Sequence, residues 1–135
     1  MVARPAGVVP GLLLCLCVAA GAATAGAEFG RSVYLVRDGD RLTAVNAETG
    51  QFFDLELGAG ERIQRHLGGE GVIVVVTNQR FAAIVTFPVG WVSVRRHAGE
   101  RVLHTEASVD TALVVTSDRT LSFSGRNGSW SGRRR

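Results

Sequence analysis

The stretch "VVTNQR" (Val75–Arg80) returns as "VVTSDR" (Val114–Arg119), 39 residues further on. Fourteen residues after each threonine stands a tryptophan, Trp91 and then Trp130, and arginines follow both: Arg95 and Arg96, then Arg133, Arg134 and Arg135. Laid on itself at that shift, the chain shows three units, about 32–70, 71–109 and 110–135. Units one and two share Val33/Val72, Val36/Val75, Arg41/Arg80, Ala44/Ala83, and "AGER" at 59–62 and 98–101. Phe52 holds the tryptophan position of unit one. A period near 40 marks a repeat architecture, in which one unit cannot bury its own apolar face and stacks on a neighbour.

Within a unit the signals are those of strands. "SVYLVR", "GVIVVVT" and "TALVVTS" are short, β-branched runs. Each passes through a polar turn into a second run, "RLTAVN", "RFAAIVTF" or "RTLSFS". Asp38-Gly39 and Asn127-Gly128 are tight-turn signals, because these residue types tolerate positive φ. A third run follows ("QFFDLEL", "GWVSVRR", "SWSGRR"), and "ERIQRHL" or "ERVLHTEA" comes after the Ala-Gly turn. No segment after residue 28 sustains helical periodicity with caps. Turns this short make neighbouring strands antiparallel. The predicted fold is all-β, an antiparallel meander of about eleven strands in three four-stranded repeats.

The segment "VYLVRDGDRLTAVNAETGQFFDLELG" (Val33–Gly58) resembles a blade of the quinoprotein-type β-propeller repeats. That motif runs Ala-x-Asp-x-x-Thr-Gly-Lys-x-x-Trp. Ala44, Thr49 and Gly50 match it, whereas Asn46 replaces the aspartate, Gln51 the lysine and Asp54 the tryptophan. The resemblance implies a partial β-propeller. It brings no cofactor, since no quinone-holding or catalytic residue of those enzymes is matched. Three blades do not close a ring, and the third unit reaches Arg135 before a fourth strand. Either a second copy completes the edges, or the chain closes on itself as a trefoil-like or small barrel fold; open strand edges invite pairing.

The N-terminus has the pattern of an export signal. Arg4 is the one charge before Glu28, "GLLLCLCVAA" (11–20) is a short apolar core, and Ala23-Thr24-Ala25 and Ala25-Gly26-Ala27 fit small-x-small cleavage sites. The expected domains are a signal peptide at 1–27 and a β-repeat domain at 28–135; an uncleaved anchor is the alternative, as residues 5–27 are uncharged and long enough to span a bilayer. Cys15 and Cys17 both lie in this segment, so residues 28–135 fold without a disulfide. The expected location is secreted or periplasmic, with membrane contact restricted to an uncleaved N-terminal segment. All fifteen basic residues are arginine. Residues 28–70 hold eight acids and five arginines; residues 71–135 hold four acids and nine arginines. Such asymmetry orients partners or brings copies together head to tail.

Several residue sets invite a chemical reading. Arg41, Arg80 and Arg119 recur just after the first turn of each unit, where a guanidinium either grips an anion or pairs internally with a turn acid such as Asp40 or Asp118 or with a neighbouring carbonyl. Phe52, Trp91 and Trp130 serve either as stacking platforms for sugars or as wedges between sheets; the small, polar flanks of Trp130 make it the candidate for exposure. Asp54 and Glu56 face one side of a strand, as a glycosidase pair would or as one wet face would. His66, His97 and His104 lack metal-site spacing, and His97 and Glu100 flank the Ala98-Gly99 turn as a cross-strand pair. The chain has no Gly-x-Ser-x-Gly, phosphate loop or dinucleotide fingerprint. The reading is a non-enzymatic binding or scaffold module of the envelope or extracellular space, without catalytic residues, metal or cofactor. Its partner is an acidic protein or a glycan, bound through Arg95, Arg96, Trp130 and Arg133–Arg135; a second copy is possible and nucleic acid is not expected. A repeat lectin and a small glycoside hydrolase are the alternatives.

Overall fold

The computed structural model describes residues 33–85 and 90–135; the expected export segment at 1–27 lies outside them. The described chain is all-β, as predicted. β1 (Val33–Asp38), β2 (Arg41–Asn46) and β3 (Phe52–Glu56) form a first sheet. β4 (Ile63–Gly68), β5 (Val72–Thr77), β6 (Arg80–Val85) and β7 (Val92–Arg95) form a middle sheet. β8 (Val102–Ala107), β9 (Thr111–Thr116), β10 (Arg119–Ser124) and β11 (Ser129–Arg134) form a third. Every pairing is antiparallel between consecutive strands. The described sheets are open and separate, and do not close into a barrel.

The sheets do not follow the sequence periods. The run after each Ala-Gly turn opens the next sheet: β4 pairs with β5 and β8 with β9. The third sheet therefore has its four strands, and among the described residues the three-stranded sheet is the first. The middle and third sheets repeat each other in detail. Both opening strands carry a register shift at the same place, between Ile63 and Arg65 and between Val102 and His104.

The sheets stack face to face, which explains the burial pattern. All six residues of β5 are buried, because both faces of the middle sheet are covered. Alternate residues point opposite ways. Ile73, Val75, Ala82 and Ile84 pack on Val33, Leu42, Ala44 and Leu55 of the first sheet. Val72, Val74, Val76, Phe81 and Ala83 pack on Ala112, Val114, Leu121 and Phe123 of the third. Strands buried on both sides lose polar alternation and read as continuous apolar runs, as "VIVVVT" does. At one end of the middle–third seam the turns touch: Gly71 donates its amide to Val109 O at 2.8 Å. A Cβ added at Gly69 would lie 1.7 Å from the Ser108 carbonyl oxygen, so only glycine fits there.

Candidate functional site

Each seam is tied by one buried cluster. At the first–middle seam, Glu61 sits just past Gly60, whose φ of 70° lets the connector turn sharply. Its Oε1 accepts from Thr77 Oγ1 at 2.7 Å and Arg80 Nε at 2.7 Å; its Oε2 accepts from the Gly58 amide at 2.8 Å and Arg80 Nη2 at 3.0 Å. Arg80 Nη2 also donates to the Glu56 carbonyl, at the end of β3, at 2.6 Å. One guanidinium thus joins the first sheet, the connector and the β5–β6 turn. The middle–third seam repeats every bond. Glu100 takes Thr116 at 2.7 Å, Arg119 at 2.8 and 3.1 Å and the His97 amide at 2.8 Å, and Arg119 Nη2 reaches the Arg95 carbonyl at 2.7 Å.

Burial of these carboxylates would raise their pKa values. In Glu61 the bonds from Arg80, the Gly58 amide and Thr77 outweigh that, and the pKa is lowered. In Glu100 burial is likewise outweighed by the bonds from Arg119, the His97 amide and Thr116, and the pKa falls from the ordinary 4.5 to about 2. Arg80 and Arg119 are therefore structural: of the partners expected from sequence each takes a backbone carbonyl, Glu56 O and Arg95 O, while their carboxylate partners are Glu61 and Glu100 rather than the turn acids Asp40 and Asp118. Arg41 is the exception: it is exposed and lies 3.9 Å from exposed Glu56. The signal for the true partners was present, since "AGER" and "VVT..R" share one period, but Glu61 and Arg80 stand 19 apart and local turn chemistry does not connect them.

The tryptophans are wedges. Trp91 Nε1 donates to Phe53 O at 2.9 Å, and Trp130 Nε1 to Val92 O at 2.9 Å, each bonding to the preceding sheet. Trp130 also packs on Phe123, with ring centroids 5.2 Å apart. Trp130 is thus half-buried and committed, against the expectation of a free binding platform. Phe52, at the equivalent position of the first sheet, is 70% exposed.

The arginines expected to bind divide in two. Arg96 is internal: it donates to Gln64 Oε1 and Thr77 O, both at 2.7 Å, and to Glu100 O, and stacks over Phe81. Arg135 repeats part of this role, bonding Thr116 O at 3.3 Å. Arg95, Arg133 and Arg134 are exposed, and among the described residues no hydrogen bond or ion pair engages their side chains. Arg133 and Arg134 line a cleft of about 440 Å³ at the middle–third seam with His97, Asp118 and Arg119; Arg95 lines a cleft of about 630 Å³ with Arg96 and His97, and another of about 560 Å³ at the first–middle seam with Glu56, Glu61 and Arg80. The first–middle cleft has Gly58 and Gln79 where the middle–third cleft has His97 and Asp118, and its Arg95 stands where the other has Arg134. The three arginines lie along one end of the stack rather than at one seam: Arg95 shares a face with Arg80, towards the first sheet, Arg134 shares a face with Arg119, towards the middle sheet, and Arg133 pairs with Thr120 on the outer face of the third sheet.

No protein-family model and no curated protein matches this chain. A chain from the S. cerevisiae dbp5 complex with nup159, gle1, ip6 and adp is similar over 78% of this chain and 31% of its own, with a TM-score of 0.43 and 8% identity. A likeness that low carries no argument about fold or function.

The remaining candidates gather no chemistry. Asp54 accepts from Thr43 Oγ1 at 2.6 Å, and both Asp54 and Glu56 lie on the exposed outer face of the first sheet. The His97 ring faces Asp118 at 3.5 Å, and its pairing with Glu100 across the Ala98-Gly99 turn runs through the backbone: the His97 amide donates to Glu100 Oε2 and the Glu100 amide to His97 O. Ligand atoms of His97, Glu100 and Asp118 lie within 4.8 Å of one another. Arg119 already supplies the positive charge there, and both Glu100 oxygens are taken, so the donor set does not suit a cation. His104 lies 3.4 Å from Glu106 on an exposed strand, and His66 is exposed on β4.

Proposed function

We propose that this is an exported, non-enzymatic binding module of partial β-propeller architecture that recognises an acidic protein segment. The observation that carries the reading is the uncommitted trio Arg95, Arg133 and Arg134, which lie along one end of the middle and third sheets and line the clefts there. Guanidinium groups without internal partners are available to fork onto carboxylates. Neighbouring Arg96 and Arg119 hold the backbone beneath them in place, so the site is presented on rigid strands. A polypeptide suits the site better than a sugar, because the aromatic groups that would stack on rings are used between the sheets. The glycosidase reading has less support still, since Asp54 and Glu56 sit on an open strand surface.

The test is binding of poly-glutamate to the purified chain, at low and moderate salt, for wild type and for the Arg95→Ser, Arg133→Ser, Arg134→Ser triple variant. Exposed charge is screened over about 8–10 Å at these ionic strengths. Wild type is expected to bind and to weaken with salt, and the variant to lose about tenfold or more in affinity at low salt. Equal binding by both proteins at both salts would refute the assignment.

A further inference from the structure

The outer faces of the first and third sheets do not match, and the repeat says what each should meet. Paired residues of an antiparallel sheet share a face. On the first sheet this places Tyr34, Val45 and Phe52 in one row, and Val36, Thr43 and Asp54 in the next. Tyr34 is 42% exposed, Val36 53% and Phe52 70%. Counted on by 39, the same positions are Ile73, Val75, Ile84 and Trp91 in the middle sheet and Ala112, Val114, Phe123 and Trp130 in the third. In both of those sheets this face is the one buried against the sheet before it. The first sheet therefore presents a docking face of the kind used twice within the chain.

The complementary kind of face is exposed at the other end of the stack. Its outer rows on the third sheet join Leu113, Ser122 and Ser131, and Val115, Thr120 and Arg133. These positions correspond to Val74, Ala83 and Val92, and to Val76, Phe81 and Val94, which receive the third sheet on the middle one. The first face is acidic, with Asp38, Asp54 and Glu56 against Arg41; the third carries Glu106 and His104 on β8 and Arg133 at the β11 edge, with Arg134 and Arg135 following at the same end. Pairing two copies through the first face alone would set carboxylates against carboxylates.

We infer that the outer face of the first sheet docks on the outer face of the third sheet of a second copy, head to tail. The contact is reversible by construction. Phe52 lacks the indole N–H through which Trp91 and Trp130 bond the preceding sheet, and serine and threonine replace apolar residues on the receiving face. A head-to-tail contact uses two different patches, so it either closes into a ring or continues as an open chain of copies.

Light scattering on the purified chain reads this directly. Wild type is expected to gain mass as concentration rises into the high micromolar range. A Val36→Arg, Phe52→Arg variant breaks the first face, and a Ser122→Glu variant breaks the receiving face; each alone is expected to remain monomeric. These positions are solvent-facing, and unchanged circular dichroism and Tm verify that both variants fold. The deciding step is the mixture. Each variant keeps one intact and different face, so equal amounts are expected to form a one-to-one heterodimer. Wild type that stays monomeric overturns the inference. So does a Ser122→Glu variant that still dimerises by itself, which would mean that the first face pairs with its own copy. Poly-glutamate binding that survives in the Val36→Arg, Phe52→Arg variant separates this result from the acidic-partner reading.

Discussion

At the first–middle seam Glu61, Thr77 and Arg80 join the sheets; at the middle–third seam Glu100, Thr116 and Arg119 do so with the same atoms in the same roles. The second tie is the deeper one: the Arg119 side chain is 15% exposed against 27% for Arg80. What differs is the rim. Glu56 gives way to Arg95, Gly58 to His97, Gln79 to Asp118 and Arg95 to Arg134, counting on by 39. Groups desolvated between sheets cannot change without leaving a buried charge unpaired, whereas rim groups in water change at little cost. The repeated part of the seam is structural for that reason, and the part that differs between seams is where specificity can reside.

The largest effect should come from breaking the deeper tie. Glu100→Gln leaves Arg119 buried without a counter-charge and is expected to cost about 3–5 kcal/mol in urea unfolding. Glu61→Gln, at the more exposed tie, is expected to cost less. Equal losses would erase the distinction between the seams. The same measurement has a pH signature. The Glu100 pKa is depressed, so its stabilisation is fully present above the ordinary 4.5 and is lost as pH falls towards about 2. Wild type is expected to lose stability over that window, and Glu100→Gln to lose much less.

Next in size is Gly69→Ala, which acts on the middle–third seam through shape alone. The Cβ meets a backbone oxygen at 1.7 Å, which no side-chain rotation relieves. A loss of about 2–3 kcal/mol is expected, independent of pH between 4.5 and 2 in contrast to Glu100→Gln. A Tm within a degree or so of wild type would show that the turns can part without cost.

The smallest effect tests the wedges. Trp91→Phe and Trp130→Phe each remove one indole bond to the preceding sheet and part of a ring, for about 1–2 kcal/mol. Trp130→Phe is expected to cost more, because that ring also packs on Phe123. The reverse order would mean that the first–middle seam depends on its tryptophan more than the geometry implies.

Much of this was legible in residue order. The eleven runs of β-branched and aromatic residues became eleven strands, and Asp38-Gly39 and Asn127-Gly128 became turns, with glycine φ values of 58° and 60°. The 39-residue shift located the residues that recur in the seams. Of the residues expected to bind, Arg95, Arg133 and Arg134 have no side-chain partner among the described residues, Arg96 and Trp130 are bonded within the fold, and exposed Arg135 makes one bond to Thr116 O. Residue type and exposure alone do not separate a free guanidinium from one that bonds a carbonyl 19 positions away.

Strand character and hairpin turns are local. They follow from side-chain alternation and from the few residue types that accept positive φ, so the sequence by itself determined an all-β meander and its period. Assignment of each strand to a sheet is not local. "AGER" reads as one more hairpin turn, and nothing nearby says whether the run after it pairs backwards or starts a new layer. The tertiary structure decided this by burying Glu61 and Glu100 between layers. A carboxylate taken out of water needs its lone pairs met; one amide of the connector meets part of that need, and the threonine and arginine that meet the rest come from the hairpin of the next sheet. Those bonds, absent until the sheets stack, turn each connector out of one layer and into another.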